Sequence, residues 1–261
     1  MTDERPGVLL FVSLKTYFGY QQSRDWITDA AQVVSDARSA FDLPMEVAVF
    51  PEVASLSGVA PLFPGSGLVL GAQDVAPDDS GPQTGEVSAR VLQEIGCTYV
   101  EIGHAERRLR FGESDELIAQ KLANAVEHGL VPLICVGEDS DSSASAAELC
   151  VRQLESALAP LVASGKRTRV VIAYEPVHAI GASESAPLEH VFEVVSALRE
   201  RADGHPAISQ AQVIYGGSAG PVTVPALSSA IDGLFLGRFV HDPKELRRVI
   251  DAYAGAARAE R

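Results

Sequence analysis

Short apolar runs recur along the chain, and a stretch with helical periodicity follows each of them. The runs are rich in β-branched side chains and do not alternate with polar residues. This pattern is typical of strands that are buried on both faces. The predicted strands are Val8–Ser13, Val47–Phe50, Leu68–Ala72, Tyr99–Ile102, Val131–Val136, Val170–Tyr174, Val213–Tyr215 and Leu234–Leu236.

The segments between the runs carry apolar residues three and four positions apart, as amphipathic helices do. Two of them, Pro51–Ala60 and Val222–Ser229, are shorter and weaker helix candidates. The other predicted helices are Trp26–Phe41, Ser88–Ile95, Glu116–His128, Ala146–Ala163, Glu189–Arg201 and Pro243–Tyr253.

Strand followed by helix, repeated along the whole chain, indicates parallel strands joined by crossover helices. Eight such units in 261 residues predict a closed α/β barrel, a single-domain (β/α)8 fold over residues 1–261. A doubly wound open sheet uses the same alternation. It is disfavoured because no Gly-x-Gly-x-x-Gly follows the first strand, where a dinucleotide-binding fold carries it.

The charge balance narrows the choice of partners. The chain has 21 basic and 35 acidic residues, a formal net charge of −14. Such a surface repels nucleic acid and anionic membranes, so neither is an expected partner. A site for an anionic ligand must then be built locally, from backbone N–H groups and a few well-placed cations.

The cysteines and the N-terminal residues indicate the cellular compartment of the protein. Cys97, Cys135 and Cys150 form no CxxC pair and no His/Cys cluster, which suits unpaired thiols in a reducing compartment. The chain starts with acidic residues and has no apolar run long enough for a signal peptide or a membrane span. These observations predict a cytoplasmic protein.

Several residues that are unusual for loops follow the predicted strands. In a barrel the carboxyl ends of the strands converge on one rim, which carries the active site. A lysine, a histidine, two carboxylates and two glycine-bearing turns are therefore expected to meet there. They are Ser13-Leu14-Lys15, His104-Ala105-Glu106, Glu175-Pro176, Gly216-Gly217-Ser218 and Gly237-Arg238.

Three of these segments carry a family resemblance. The motifs GHAERR, AYEPVHAIG and YGGS, in this order and spacing, resemble the signatures of triosephosphate isomerases, and so does the block Glu106–Glu138. The resemblance extends from Ser13 to Gly237. It implies a (β/α)8 barrel that moves a proton between two carbons of a small sugar phosphate.

The resemblance also implies the catalytic roles. Glu175 would be the base that removes a proton next to a carbonyl, with Pro176 stiffening the start of a lid whose closure desolvates the carboxylate. His104 would polarise the carbonyl as a neutral imidazole, the arrangement that general accounts of pKa tuning illustrate with triosephosphate isomerase itself. Lys15 would neutralise the developing enediolate charge, and Glu106 would hold Lys15 in place.

The phosphate would be bound by backbone N–H groups of Gly181, Ser218, Gly237 and Arg238, where small side chains allow a close approach. The segment Val177–Ser185 is predicted to be the lid that excludes water. This chemistry requires no metal ion and no organic cofactor. The expected small-molecule partner is a sugar phosphate.

The chain departs from the family pattern beside the predicted site. Ser13 and Asp74 stand where the family has asparagines, His178 replaces a tryptophan at the first lid hinge, and Arg238 replaces a glycine. The second half of the lid, residues 182–186, lacks the usual Gly-Lys. Ser13 leaves room at the carbonyl end, whereas Arg238 adds a cation and bulk at the phosphate end.

Two substrates remain open. One is the triose pair, dihydroxyacetone phosphate and glyceraldehyde 3-phosphate, and the other is a four-carbon ketose phosphate, an erythrulose 1- or 4-phosphate. Ser13 is what we expect of a four-carbon branch. Two other classes are a catalytically silent barrel that binds phosphorylated metabolites and a purely structural or interaction protein; the presence of Lys15, His104 and Glu175 disfavours the former.

The segment Gln73–Ser88 is long for a strand–helix connection and is polar and rich in Gly and Pro. In the family this loop enters a pocket of a second subunit, and the tip Thr84–Glu86 matches. The resemblance therefore implies a two-fold symmetric homodimer in which the neighbour helps to position Lys15 and His104.

Overall fold

The fold is a closed barrel of eight parallel strands with helices around it, as a computed structural model shows. The structure describes residues 7–138, 145–181 and 185–259. The strands pair in chain order and the last closes on the first. They are β1 Val8–Ser13, β2 Met45–Phe50, β3 Leu68–Ala72, β4 Tyr99–Ile102, β5 Val131–Val136, β6 Thr168–Tyr174, β7 Ile208–Tyr215 and β8 Gly233–Leu236.

Helices follow the strands and cover the outside of the barrel. Short 3₁₀ turns extend some of them, notably Val53–Ser55, Ala60–Leu62, Val177–Ala179 and Arg238–His241. The α-helices of the described residues are α1 Tyr20–Ala40, α2 Leu56–Val59, α3 Ala89–Glu94, α4 Ala105–Phe111, α5 Asp115–Glu127, α6 Ala146–Ser164, α7 Leu188–Ala202, α8 Val224–Leu227 and α9 Pro243–Ala259. The predicted barrel is thus confirmed, and every predicted strand is present.

The observed helix boundaries differ from the predicted ones where the apolar pattern is weak. Helix α1 begins six residues before the predicted Trp26, because its first turns are polar and show no periodicity. The candidates Pro51–Ala60 and Val222–Ser229 shrink to short turns and one four-residue helix each. Pro225 lies in the first turn of α8, where a missing N–H is tolerated.

Side chains on each strand alternate between two cores. The outer one packs strands against helices, and the inner one fills the barrel. Leu9, Phe11, Tyr99, Leu133 and Ala173 belong to the inner core. Because strand side chains alternate, Ser13 and Glu101 continue the inward rows of β1 and β4 at the carboxyl end. The inner core therefore ends there in a polar layer.

Among the described residues no helix is both long enough and apolar enough to cross a membrane.

Candidate active site

One cavity of about 550 Å³ opens at the carboxyl ends of the strands. It contains every residue that the sequence singled out for the site. They are Ser13, Lys15, His104, Glu106, Glu175, Gly181, Ser218, Gly237 and Arg238. The folded chain thus brings together residues that are up to 225 positions apart, since Ser13 and Arg238 line the same cavity.

Lys15 is held rigidly after β1. Its backbone has a φ of 47°, in the left-handed region that few non-glycine residues adopt. The ammonium donates to Glu106 Oε1 at 2.8 Å. Burial disfavours the charged ammonium, but the bond to Glu106 and the carboxylates of Glu175 and Glu101 outweigh it and raise the pKa of Lys15. The cation therefore stays charged and aimed at the cavity.

His104 is the N-cap of α4, and this fixes its tautomer. The backbone N–H of Glu106 donates to Nδ1 of His104 at 3.1 Å. In the neutral ring Nδ1 is then the acceptor, so Nε2 carries the proton. Nε2 faces Oε2 of Glu175 at 3.5 Å. The imidazole thus presents an N–H donor to the interior of the cavity.

Opposing influences act on the charge of this ring. Burial disfavours the imidazolium, whereas the carboxylates of Glu175 and Glu101 favour it, and the net effect raises the pKa of His104. A second proton would have to go on Nδ1 and would break the bond from the Glu106 N–H. The helix terminus therefore works against the imidazolium, whereas Glu175 works for it.

Glu175 lies directly after β6 and is only 4% exposed. Its own N–H donates to the carbonyl of Val136 at 2.9 Å. A Cβ at Gly216 would come within 2.7 Å of the Glu175 side chain, and one at Gly137 within 2.0 Å of its carbonyl. Both glycines are needed to seat the carboxylate. The YGGS motif thus shapes the surroundings of the Glu175 carboxylate as well as a turn.

Four buried polar atoms near His104, at the carboxyl end of the barrel interior, have no hydrogen-bond partner among the described residues. They are Ser13 Oγ, Glu101 Oε1, His104 Nε2 and Glu175 Oε2. Native proteins rarely leave such groups unsatisfied, and where they do the groups often serve a ligand. Glu101 was missed by the sequence reasoning. Its signal was a carboxylate inside the apolar run Tyr99–Ile102.

The opposite wall is built mainly from backbone. Ser218 has a φ of 51°, and its hydroxyl donates to the Ala179 carbonyl at 2.6 Å. The Arg238 guanidinium donates to the carbonyl of Gly181 at 3.0 Å. Arg238 therefore holds the first part of the predicted lid instead of standing free in the cavity. Residues 182–184 of that lid lie outside the described residues.

The far end of the lid returns to the same wall. Ser185 donates to the Ser218 carbonyl at 3.3 Å, and the N–H of Ala186 donates to the Tyr215 hydroxyl at 3.2 Å. His178, at the first hinge, is exposed within the 3₁₀ turn Val177–Ala179. The described parts of the lid are thus bonded to the YGGS segment.

Asp74 has a structural explanation. Its carboxylate accepts from Lys121 at 2.7 and 2.8 Å and from Arg107 at 2.9 Å. Both cations also contact Glu113, which Arg107 reaches at 2.6 Å. The four side chains form a compensated ion network that ties the start of the Gln73–Ser88 loop to α4 and α5.

A second cavity lies next to the first and shares Ser13, Lys15, His104 and Glu106 with it. Glu101 lines this second cavity. Three residues of its wall are exposed apolar side chains: Tyr17 at 53%, Val53 at 43% and Phe111 at 67%.

The comparisons with known proteins agree with this architecture. The family model for triosephosphate isomerase matches residues 8–253. An L-erythrulose-1-phosphate isomerase from Pectobacterium atrosepticum is 43% identical over 243 residues, which cover 93% of this chain and 94% of that protein. A triosephosphate isomerase from Herminiimonas arsenicoxydans is 38% identical over 214 residues, 79% of this chain and 86% of the relative.

A solved structure is similar as well. The crystal structure of triosephosphate isomerase from Bartonella henselae superposes with a TM-score of 0.79 at 28% identity, covering 94% of this chain and 98% of that one. The fold and site define a barrel isomerase of small sugar phosphates. The chain belongs to the triosephosphate isomerase family.

Proposed function

We propose that the protein interconverts dihydroxyacetone phosphate and glyceraldehyde 3-phosphate by moving one proton between neighbouring carbons through a cis-enediolate. One observation carries this proposal. The buried carboxylate of Glu175 faces the Nε2 edge of His104 at 3.5 Å, and the Lys15 ammonium lines the same cavity. A base, a hydrogen-bond donor and a cation therefore surround one buried point, as enolisation next to a carbonyl requires.

Glu175 would remove the proton from the carbon next to the carbonyl and return it to the neighbouring carbon. Its burial excludes water from the base, and Gly216 and Gly137 fix its position. General-base catalysis of this kind typically contributes about 10²- to 10⁴-fold in rate.

His104 and Lys15 would stabilise the negative charge that develops on the carbonyl oxygen. The Nε2–H of His104 is oriented by the bond at Nδ1, so the donor is in place before the reaction. When Glu175 takes up the substrate proton, it loses the charge that favours an imidazolium. The ring is then neutral in the step in which it donates a hydrogen bond.

The phosphate would lie against Gly181, Ser218, Gly237 and Arg238. Backbone N–H groups suit a dianion in a protein of net charge −14, because they attract it locally without a broad basic surface. The bonds from the lid to Ser218 and Tyr215 would keep water away from the enediolate.

A four-carbon ketose phosphate is a second candidate. The observation that favours it is the short Ser13, whose buried hydroxyl has no partner among the described residues. Similarity to an L-erythrulose-1-phosphate isomerase over 93% of the chain supports the same substrate.

The test measures the exchange of substrate hydrogen with deuterated water. NMR monitors it separately for dihydroxyacetone phosphate and for L-erythrulose 1-phosphate. We expect deuterium at the carbon next to the carbonyl in at least one of them. A barrel that only binds phosphorylated metabolites would show binding with no exchange in either. That result would refute the catalytic function. Activity should also survive chelation with EDTA, because the proposed reactive groups are side chains.

The assembly we favour is a homodimer in which the loop Gln73–Ser88 of one copy enters the second cavity of the other. The loop tip, Thr84–Glu86, is exposed, and the exposed apolar side chains of Tyr17, Val53 and Phe111 line that cavity. Apolar side chains around a cavity are typical of a surface that a partner covers.

Replacing Thr84 with Arg would bury an unpaired charge at this contact and should yield monomers. Sedimentation velocity at micromolar concentration measures the change, and Asp79→Arg, at another exposed position of the same loop, is the matched control. A fully active wild-type monomer would contradict the dimer. Location in the cytoplasm stays a prediction, which the three buried free cysteines support.

A further inference from the structure

Glu101 is a buried carboxylate that the proposed proton transfer does not use. It lies on β4 between Val100 and Ile102, which pack in the outer core, and it follows the inward-facing Tyr99 by two residues. Alternation along the strand therefore points Glu101 into the barrel. The side chain is 4% exposed, so it sits at the bottom of the site and not on its rim.

The position of Glu101 is energetically unfavourable. Burial of the carboxyl raises its pKa to about 7, although His104, the Ser13 hydroxyl and Lys15 act in the opposite direction and Glu175 adds to the increase. Its Oε1 and the Oγ of Ser13 have no hydrogen-bond partner among the described residues. Ser13 and Glu101 both line the second cavity, so a polar group from outside the chain can reach this pair.

The charges around Glu101 indicate which part of a substrate it would meet. A carboxylate repels a phosphate, and the proposed phosphate wall of Gly181, Ser218, Gly237 and Arg238 belongs to the first cavity, which Glu101 does not line. Glu101 lines the neighbouring cavity, with Ser13, Lys15 and His104 between the two. The carboxyl thus lies beyond the reacting carbons, at the end remote from the phosphate.

We propose that Glu101 and Ser13 form a subsite for the terminal hydroxyl of a ketose phosphate one hydroxymethyl group longer than a triose phosphate. The proposal rests on the second candidate function above. In dihydroxyacetone phosphate the reacting carbon remote from the phosphate carries a hydroxyl and two hydrogens, whereas in a four-carbon ketose phosphate a CH₂OH group replaces one of those hydrogens. The short Ser13 leaves space for the added carbon, and Glu101 supplies the partner for its oxygen.

The chemistry of a hydroxyl fits this pair in either protonation state. A hydroxyl donates one hydrogen bond and accepts others, so it can donate to the ionised carboxylate of Glu101 or accept from the protonated carboxyl. Ser13 can complete the pair from the other side. A site built to bond a substrate hydroxyl discriminates strongly against a substrate that lacks it, because the buried protein groups are then left unpaired.

The experiment compares kcat/KM for L-erythrulose 1-phosphate and dihydroxyacetone phosphate in the wild type, Glu101→Leu and Glu101→Gln. The leucine removes the hydrogen bond and keeps the volume, whereas the glutamine keeps a group that donates and accepts. We expect Glu101→Leu to lose about 10- to 100-fold in kcat/KM on the four-carbon substrate, and Glu101→Gln to retain most of it. The loss on the three-carbon substrate should be clearly smaller, because that substrate makes no contact with the subsite and is affected only through the charge that Glu101 places near His104 and Lys15.

Two further measurements guard against a structural explanation. Inhibition by inorganic phosphate should be equal in all three proteins, because the phosphate wall is untouched. Sedimentation velocity should show an unchanged oligomeric state. An equal loss on both substrates, weaker phosphate inhibition or dissociation of the leucine variant would overturn the proposal and assign Glu101 to general folding or to the partner loop.

The wild type separates this proposal from the function on which it rests. Turnover of dihydroxyacetone phosphate without turnover of L-erythrulose 1-phosphate would overturn the hydroxyl subsite and leave the isomerase intact. Failure to turn over or exchange either substrate would remove the proposed function itself.

Discussion

Two clusters of buried charge lie close together at the carboxyl end of the barrel and are built in opposite ways. In the loop network, Lys121 and Arg107 each contact both Asp74 and Glu113. Every charge there is matched by an opposite one. This cluster holds the base of a loop in place.

At the bottom of the catalytic cavity the balance is different. The carboxylates of Glu101 and Glu175 lie near His104, and both have an oxygen without a partner among the described residues. The nearby cation Lys15 already pairs with Glu106. The contrast shows that burial alone does not identify function. A shortage of matching cations distinguishes the proposed reactive cluster from the structural one, because the network also has one unpaired buried oxygen, Oε2 of Glu113, among the described residues.

The largest effect should come from Glu175→Gln. The amide keeps the shape of the side chain but cannot take the substrate proton, so kcat should fall by about 10²- to 10⁴-fold. Melting followed by circular dichroism should show no loss of stability, because a neutral amide is easier to bury than a carboxylate. Near wild-type turnover would show that Glu175 is not the base.

Removing a charge from the loop network should have the opposite effect to Glu175→Gln, a loss of thermal stability. Lys121 is 1% exposed, and Lys121→Met would leave Asp74 and Glu113 with Arg107 as the one remaining cation that they share. Breaking a buried ion pair from one side costs about 3–5 kcal/mol. For a chain of this size the melting temperature should fall by about 10 °C.

The matched control for Lys121 is Lys166→Met. Lys166 pairs with Glu127 on the surface, where both side chains are largely exposed, and such pairs contribute about 0–1 kcal/mol. A similar loss of stability in the two variants would contradict the structural role of the buried network.

Glu101→Gln tests the cluster of Glu101, Glu175 and His104 through the thermal stability of the protein instead of its activity. The pKa of Glu101 is raised from 4.5 to about 7, so the native state resists ionisation that the unfolded chain accepts. Below pH 4.5 both states are protonated and the variant gains nothing. As the pH rises from about 4.5 to 7 the unfolded chain ionises before the native state does, and the wild type loses stability, up to about 3 kcal/mol for a shift of this size.

The glutamine variant should therefore melt higher than the wild type at pH 8.5 and nearly equally at about pH 4. Thermal melts at the two pH values measure this difference. His104, Lys15 and Glu175 face the carboxyl of Glu101 and act on its pKa. The neutral control is therefore a substitution elsewhere, Ser39→Ala on the exposed face of α1. An increase in stability that does not depend on pH would show that ionisation of Glu101 is not its cause.

The sequence predicts the barrel well because its strands are buried on both faces and appear as uninterrupted apolar runs. It predicts the start of β7 poorly. This strand begins at Ile208 instead of Val213, and the prediction missed its first residues because several of them are polar and partly exposed at the end of the barrel. The candidate site follows from ordered motifs. What the sequence cannot show is whether a buried polar atom finds a partner.

Glu101 and Asp74 illustrate this limit. Each is a carboxylate at or just after a strand end, and although the apolar run around Glu101 indicates burial, the local sequence does not show which of the two finds a cation. Only closure of the barrel brings two cations to Asp74 and leaves an oxygen of Glu101 unpaired. Partners that are 33 and 47 residues away decide which of the two is structural, since Arg107 and Lys121 lie on later helices.

The smallest effect is expected at the phosphate wall, where Arg238 donates to the Gly181 carbonyl from an exposed position. Arg238→Met removes that bond without adding backbone freedom. A hydrogen bond of about 1 kcal/mol corresponds to about fivefold, so KM and the inhibition constant of inorganic phosphate should rise by roughly that factor. Because the base and the electrophiles are untouched, kcat should change little.

Arg248→Met is the matched control, since Arg248 lines the same cavity but pairs with Glu245. Equal effects in the two variants would mean that Arg238 acts only through its charge, and a large fall in kcat would move Arg238 from the lid to the reaction centre.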